Sequence, residues 1–155
     1  MPRSPFALVP AAYVLLLREG PRGDQVLLQR RSNTGFMDEH WAAAAAGHVE
    51  AGESCTAAAS REAAEELGIE VAQDDLVALC AVHRHQETDR PVDQRVDFFF
   101  ICRRWLGEPG LRETKASALQ WYDLVALPEP VVPHERAVLR ALGAGAVPPV
   151  LTAGF

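Results

Sequence analysis

The chain has 155 residues, of which 48% are hydrophobic and 23% are charged, and its formal net charge is -6. This length suits one domain with a single core, expected over residues 1–155, and the composition excludes a disordered or fibrous chain. The acidic balance, without a block of Lys or Arg, argues against a nucleic-acid polymer as partner. A small phosphorylated ligand remains compatible with it, provided that a divalent cation lies between the phosphates and an acidic site.

The cysteines and the N-terminal stretch bear on location. Cys55, Cys80 and Cys102 are odd in number and lack CxxC spacing, so neither a disulfide framework nor a zinc site is predicted. The apolar stretch Phe6–Leu17 is interrupted by Pro10 and is shorter than the about 20 residues of a membrane-spanning helix. We therefore expect free thiols, no membrane partner and a cytoplasmic location, and we leave open whether the chain forms a homodimer.

The first part of the chain predicts a pair of strands. Ala7–Leu17 and Gln25–Arg30 are rich in apolar residues and flank the turn residues 20–24. The apolar run Trp41–Ala46 then ends at Gly47, a position where backbone freedom or close approach can matter.

An alanine-rich helix follows. Ser54 is a favourable N-cap residue, the apolar stretch extends to Leu67, and Gly68 is a natural stop. One face of this helix, through Ala58 and Ala63, is small and apolar. The helix can therefore lie close against a sheet.

The second half of the chain predicts further strands and one more helix. A polar loop is expected over His85–Gln94, and a loosely ordered tail from Gly143 onward. The predicted strands are Leu76–His83, Val96–Cys102 and Ala118–Tyr122, and the predicted helix, opened by Pro133, is His134–Leu142. Strands around one strong helix, with a second helix at the end, favour a mixed sheet packed between helices.

The predicted first helix carries a cluster of glutamates. Glu62, Glu65 and Glu66 are related by i, i+3 and i, i+4 steps and so share a face. Like charges at this spacing repel by a few tenths of a kcal/mol per pair, roughly, unless a cation offsets them. A hard, oxygen-seeking ion such as Mg²⁺ fits that need. Taken alone, the cluster is also typical of an ordinary solvated helix face.

The full motif favours the metal interpretation. The string Gly47-x5-Glu53-x7-Arg61-Glu62-Ala63-x-Glu65-Glu66-x-Gly68-Ile69 spans 23 residues, and every specified position of the Nudix box matches it. The chain therefore resembles the Nudix hydrolase family (MutT-like members). This resemblance implies an α/β fold in which a mixed β-sheet is sandwiched between helices (α/β/α), with a loop-helix-loop catalytic motif and bound Mg²⁺ or Mn²⁺.

The resemblance also implies roles for individual residues. The metal-binding carboxylates fall on Glu62, Glu65 and Glu66. The family's metal-binding backbone carbonyl falls on Ala46, where a glycine is commonest. Arg61 and Glu53 match the pair that braces loop and helix. The implied catalytic set is Glu53, Arg61 and Glu62, with Glu62 or a nearby carboxylate activating the attacking water.

Residues outside the motif are weaker candidates. One further metal ligand is sought among Glu50, Asp97, Glu108 and Glu113; we favour Glu50, beside the box, and expect the others to be surface charges. For substrate binding, the candidates are Arg30 and Arg31, which end the second strand, and His83 near the rim. Each of these three is also compatible with an ordinary surface position.

Substrate choice rests on elimination. The proline and tyrosine that mark the ADP-ribose and diadenosine polyphosphate subgroups are missing from the segment 83–87, and the coenzyme A signature is only partly echoed by Leu27-Leu28-x-x-Arg31-Ser32. We therefore expect a nucleoside triphosphate or deoxynucleoside triphosphate, cleaved to monophosphate and diphosphate. The alternatives are a Nudix hydrolase of nucleotide sugars and a non-catalytic Nudix sensor that binds a nucleotide.

Overall fold

A computed structural model describes residues 5–86 and 94–155 of the chain. Most of the predicted loop His85–Gln94 lies outside the described residues. The elements in chain order are β1 (Val9–Gly20), β2 (Gly23–Arg31), β3 (Trp41–Ala43), β4 (Ala45–His48), α1 (Cys55–Leu67), a 3-10 turn (Gln73–Asp75), β5 (Leu76–His85), β6 (Gln94–Cys102), β7 (Ala116–Asp123), α2 (Pro133–Gly143) and β8 (Val150–Ala153).

The described strands form one mixed sheet. Its order is β3-β2-β1-β6-β5-β8, while β4 pairs with β1 and β7 pairs with β2. The pairs β1 with β6 and β5 with β8 are parallel, and the remaining pairs are antiparallel. Strand β1 is therefore the centre of the molecule, in contact with β2, β4 and β6.

The two faces of β1 bury different helices. Because side chains alternate along a strand, Ala12, Val14 and Leu16 point to one face, where they share a core with α1. Tyr13, Leu15 and Leu17 point to the other face, where they share a core with Val138 and Leu139 of α2. The expected sheet between helices is confirmed.

Helix α1 has the predicted bounds. The Ser54 side chain accepts a hydrogen bond from the Ala57 amide, and Gly68 adopts the left-handed conformation with φ of 68°. Helix α2 begins at Pro133 but has no side-chain cap. Within residues 5–86 and 94–155, no helix has both the length and the apolar character needed to cross a membrane.

One segment differs from expectation, and a second, the run 41–46, forms elements that the sequence did not predict. The tail predicted to be loosely ordered contains β8, which pairs in parallel with β5 in the register Ala81 to Val150. This pairing satisfies backbone groups that the edge of β5 would otherwise expose to solvent. The run 41–46 forms parts of two short strands, β3 and β4, because Ala43 pairs with Leu28 of β2 while Ala45 pairs with Val14 of β1.

Candidate active site

A cleft of about 570 Å³ opens beside β4, and its lining contains both acidic and basic side chains. This volume lies within the range of about 300–1,000 Å³ typical of small-molecule sites. Carboxyl groups of Glu50, Glu62, Glu66 and Glu113 line it together with the basic side chains of Arg31, His48, Arg95 and Lys115. Such a lining suits a ligand that is itself charged and polar.

Glu66 is the most strongly perturbed carboxyl of the motif. Its Oε2 accepts a hydrogen bond from the Ala46 amide at 3.1 Å. Burial raises the pKa of Glu66 to about 8, and the negative charges of Glu62 and Glu113 add to the rise. A carboxyl in this position needs a proton or a nearby cation to offset its buried charge.

Glu62 lies against the backbone of β4. A Cβ atom added to Gly47 would come within 2.7 Å of Glu62 Oε2 and nearer still to its Cδ and Oε1. Gly47 itself has no positive φ. The glycine is therefore required by the close approach of Glu62 and not by an unusual backbone conformation. Ala46 likewise has no positive φ, so its carbonyl is presented by ordinary strand backbone.

Arg61 joins the loop before α1 to the helix. Its Nε and Nη2 donate to the two carboxylate oxygens of Glu53 at 2.8 and 2.9 Å, and Nη2 also donates to the His48 carbonyl at 3.1 Å. Hydrogen bonding from Arg61 is the main cause that lowers the pKa of Glu53 to about 2. The guanidinium thus fixes the segment that follows Gly47, as the resemblance implied.

Arg61 also contacts two carboxylates of the helix. Its Nη1 donates to Glu62 Oε1 at 2.9 Å and to Glu65 Oε2 at 3.2 Å. The Glu65 side chain is 51% exposed and does not line the cleft. The structure therefore brings Glu62 and Glu66 together in the cleft, while Glu65 lies outside it against Arg61.

Three carboxyl groups from outside α1 line the cleft, those of Glu50, Glu113 and Glu135. Glu50 lines it, although its side chain is 70% exposed and lies 3.8 Å from Arg61. Glu113, expected to be a surface charge, also lines the cleft. Its segment is held to the end of α1, because the Arg112 amide donates to the Glu66 carbonyl at 3.0 Å. Nothing in the local sequence around Glu113 signals this long-range contact.

The acidic end of the cleft fits a divalent cation. Across residues 5–86 and 94–155, no three His, Cys, Asp or Glu side chains already form a ready metal cluster. Burial raises the pKa values of both Glu62 and Glu66, so a cation beside the two carboxylates would stabilise their charged forms. An all-oxygen donor set of this kind suits Mg²⁺ or Mn²⁺.

The three predicted substrate residues lie in different places. Arg31 lines the cleft, but its Nε donates to the Phe36 carbonyl at 2.9 Å, so it also holds the loop after β2. Arg30 is not among the cleft-lining residues, and it forms an ion pair with Glu39. His83 is also outside the cleft lining and packs against Phe155 with ring centroids 4.7 Å apart. The assignment of Arg30 and His83 to the substrate site is therefore not supported.

Sequence reasoning missed one carboxyl and misplaced another. Glu135 lines the cleft, is 3% exposed and accepts a hydrogen bond from the Ala43 amide at 2.7 Å. Burial raises the pKa of Glu135 to about 7. Asp97, expected on the surface, is fully buried and bonded to Arg84, whereas Glu108 is exposed as expected. The Asp97 prediction was wrong because its compensating arginine comes from the neighbouring strand.

Known proteins resemble this chain in sequence. The family model of the NUDIX domain matches residues 7–142. A curated relative, the NAD-capped RNA hydrolase NudC of Pseudomonas aeruginosa, is 32% identical over 151 residues, which cover 93% of this chain and 48% of the relative. The chain therefore spans about half the length of the curated relatives it matches.

Solved structures give the same result for the fold. A MutT NUDIX hydrolase from Burkholderia pseudomallei superimposes with a TM-score of 0.73 at 25% identity, over 86% of this chain and 97% of that one. The NUDIX domain of Shewanella oneidensis NrtR, solved with ADP ribose, has a TM-score of 0.69 at 17% identity, over 90% and 88% of the two chains. Because the NUDIX model covers most of its length and the box is complete, the chain belongs to the Nudix family.

Proposed function

We propose that the chain is a Nudix pyrophosphohydrolase that cleaves the diphosphate linkage of a nucleotide in the presence of Mg²⁺ or Mn²⁺. The observation that carries this proposal is the placement of Glu62, Glu66 and Glu113 together in one cleft with basic and hydrogen-bonding side chains. A diphosphate is a polyanion, so it requires this combination of a cation site and positive side chains.

The proposed cation site uses the acidic end of the cleft. Glu62 and Glu66 would hold the ion. The Ala46 carbonyl and a carboxylate from Glu50 or Glu113 would be further donors. Glu65 would become a ligand if its hydrogen bond with Arg61 broke. When bound, such an ion offsets the charge of the diphosphate and makes water a better nucleophile.

The chain's own residues orient the reaction. Arg61 fixes Glu53 and the loop after Gly47, so that this backbone is already in place when the substrate arrives. Glu62 is our assignment for the group that takes the proton from water, since it is held beside Gly47 at the cleft surface. Arg31, Arg95 and Lys115 supply positive charge for phosphate oxygens.

The spacing of two buried carboxyls in the cleft is compatible with the two ends of a mononucleotide. Glu66 and Glu135 bind the amides of Ala46 and Ala43, which are three residues apart and so separated by at most about 11 Å. The buried carboxyl of Glu135 can accept a hydrogen bond from a base amino or imino group, while the diphosphate lies near Glu66. We therefore propose a nucleoside triphosphate or deoxynucleoside triphosphate, cleaved to monophosphate and diphosphate.

A substrate panel tests this proposal. The purified chain with Mg²⁺ would be given the common nucleoside triphosphates, ADP-ribose, a nucleotide sugar, NAD and NAD-capped RNA, and both products of each would be identified. The proposal expects the highest kcat/KM for a triphosphate. A higher kcat/KM for NAD or for a nucleotide sugar would leave the pyrophosphohydrolase activity in place and assign it a different substrate. Tight nucleotide binding without turnover of any compound would instead establish the sensor alternative.

The cysteines support a reducing location. All three are free, and burial raises the pKa of the Cys80 thiol to about 11 and that of Cys102 above its usual range. We propose that the protein works in the cytoplasm, where such thiols remain reduced. Cell fractionation with an antibody to the chain would test this.

A further inference from the structure

A charged pair is buried in the sheet next to Tyr13, which lines the cleft. Asp97 of β6 is 0% exposed and Arg84 of β5 is 5% exposed. Arg84 Nε donates to Asp97 Oδ2, whereas Asp97 Oδ1 is buried without a hydrogen-bond partner among the described residues. An apolar pair of similar volume would often stabilise a core as well as such an ion pair does. The pair therefore calls for a role other than stability.

The pair extends to strand β1 and helix α2. Arg84 Nη2 donates to the Tyr13 hydroxyl at 3.5 Å, and that hydroxyl lies 3.2 Å from Nε2 of His134. The same Nε2 lies 3.6 Å from Asp97 Oδ2. The Tyr13 ring is also fixed, since it stacks on Phe99 with centroids 4.4 Å apart. Three strands and one helix thus meet at a single polar cluster.

The histidine in this cluster is uncharged at neutral pH. Burial, followed by the positive charges of Arg84 and Arg95, lowers the pKa of His134 to about 3. Its contacts with Tyr13 and Asp97 are therefore those of a neutral ring. Because a neutral ring has one donor nitrogen and one acceptor nitrogen, these contacts are directional and sensitive to the loss of one partner.

The next residue after His134 is the cleft carboxyl Glu135. Helix α2 has no side-chain N-cap, so its start is held by one backbone hydrogen bond, from the Val132 amide to the Trp41 carbonyl, and by these two side chains. His134 contacts the Tyr13 hydroxyl of β1, and Glu135 accepts a hydrogen bond from the Ala43 amide of β3. Because the two residues are consecutive in the first turn of α2, a shift of the His134 backbone would displace Glu135 as well.

We propose that Tyr13, Arg84 and Asp97 are positioning residues that act through His134 to hold the Glu135 carboxyl at the cleft wall. In this way they determine how well the cleft accepts the base of the nucleotide. The part of this inference that concerns substrate rests on the proposed function, whereas the part that concerns the position of Glu135 does not.

The first experiment measures Glu135 without any ligand. Hydrogen exchange followed by NMR would compare the amide of Ala43, which binds Glu135, with the amide of Ala46, which binds Glu66. Tyr13→Phe keeps the ring on Phe99 and removes only the hydroxyl. We expect about 3- to 10-fold faster exchange at Ala43 and no change at Ala46, in proportion to one weakened hydrogen bond. Equal changes at both amides, or none at Ala43, would overturn the proposal.

The second experiment is a double-mutant cycle with Tyr13→Phe and Glu135→Gln. Its readouts are the Kd for an α,β-methylene nucleoside triphosphate and the separate kcat and KM. We expect Tyr13→Phe to weaken binding about 3- to 10-fold with little change in kcat, and to have almost no further effect once Glu135 is Gln. If the fold-changes in Kd and KM of the two single variants multiply in the double variant, Tyr13 acts independently of Glu135.

The chain offers a matched control for both experiments. Its other tyrosine, Tyr122, packs against Trp41 and, unlike Tyr13, does not line the cleft, so Tyr122→Phe should leave exchange, Kd and KM unchanged. This variant controls for the loss of a tyrosine hydroxyl elsewhere in the chain. A direct contact of Tyr13 with the ligand is separated from an action through Glu135 by the double-mutant cycle. If the wild-type chain binds no nucleotide at all, the proposed function fails. The exchange comparison at Ala43 and Ala46 then still decides whether the cluster positions Glu135.

Discussion

Replacing Gly47 with alanine tests the contact that places Glu62 at the cleft. The added Cβ would lie 2.7 Å from Glu62 Oε2, whereas an ordinary contact is 3.4 Å or more, so this oxygen must move by at least 0.7 Å (3.4 minus 2.7). The two nearer atoms of the carboxyl must move farther. A misplacement of about 1 Å in a catalytic group can cost roughly 100-fold in rate. We therefore expect Gly47→Ala to lower kcat by about 10- to 100-fold.

The assay is steady-state hydrolysis with saturating Mg²⁺, together with urea denaturation. Gly110→Ala is the matched control, because a Cβ at Gly110 meets nothing within 4 Å and its φ is not positive. The control should leave kcat unchanged, and its stability should stay within about 0.5 kcal/mol of the wild type. Gly47→Ala should cost about 1 kcal/mol, the low end of the range for overpacking, because the atoms that must move are the far end of the Glu62 side chain.

A compensating change sharpens this test. Glu62→Asp withdraws the carboxyl by one methylene, about 1.5 Å, which opens space for the new Cβ. We expect the double variant Gly47→Ala, Glu62→Asp to be more stable than Gly47→Ala alone. A near-normal kcat for Gly47→Ala would refute the reasoning, since Glu62 would then not need its place beside the backbone.

Three further predictions follow from the same geometry. Glu66→Gln should lose metal-dependent turnover and much of the thermal stabilisation by Mg²⁺, and near-normal turnover would remove Glu66 from the ligand set. Arg61→Ala should lower both activity and melting temperature, because Glu53 and its loop lose their anchor; lost activity at an unchanged melting temperature would point to direct substrate contact. The pKa of His134 is lowered from 6.5 to about 3, so its contribution to stability is present above pH 6.5 and declines as pH falls toward 3. His134→Gln should make urea stability less dependent on pH in that window, and an unchanged slope would contradict the assignment.

The parts of the fold that could be predicted are those encoded by local patterns. Ser54 and Gly68 mark the ends of α1 because a cap acts within one helical turn. The alternation along β1 likewise lies in neighbouring residues. In contrast, β8 is a strand because it pairs with β5, and its four residues carry no strong pattern of their own.

The site residues likewise fall into two groups, those that the local motif predicts and those that only tertiary contacts bring to the cleft. The contact of Arg61 with Glu53 lies within the motif, so a complete box was enough to expect it. Glu113 is placed at the cleft by the tertiary bond of the preceding Arg112 amide with the Glu66 carbonyl, and Glu135 by its bond with the Ala43 amide; no local spacing encodes either contact. Asp97 was misplaced for the same reason, since a lone aspartate in a strand is ordinarily exposed.

The most direct test of the central claim is hydrolysis of a nucleoside triphosphate in ¹⁸O-labelled water with Mg²⁺, read by mass spectrometry. Our account predicts monophosphate and inorganic diphosphate as primary products, with the label in one of these two and in no other compound. Primary release of orthophosphate and nucleoside diphosphate would contradict it, because the chain would then cleave the terminal phosphate and not the internal diphosphate linkage.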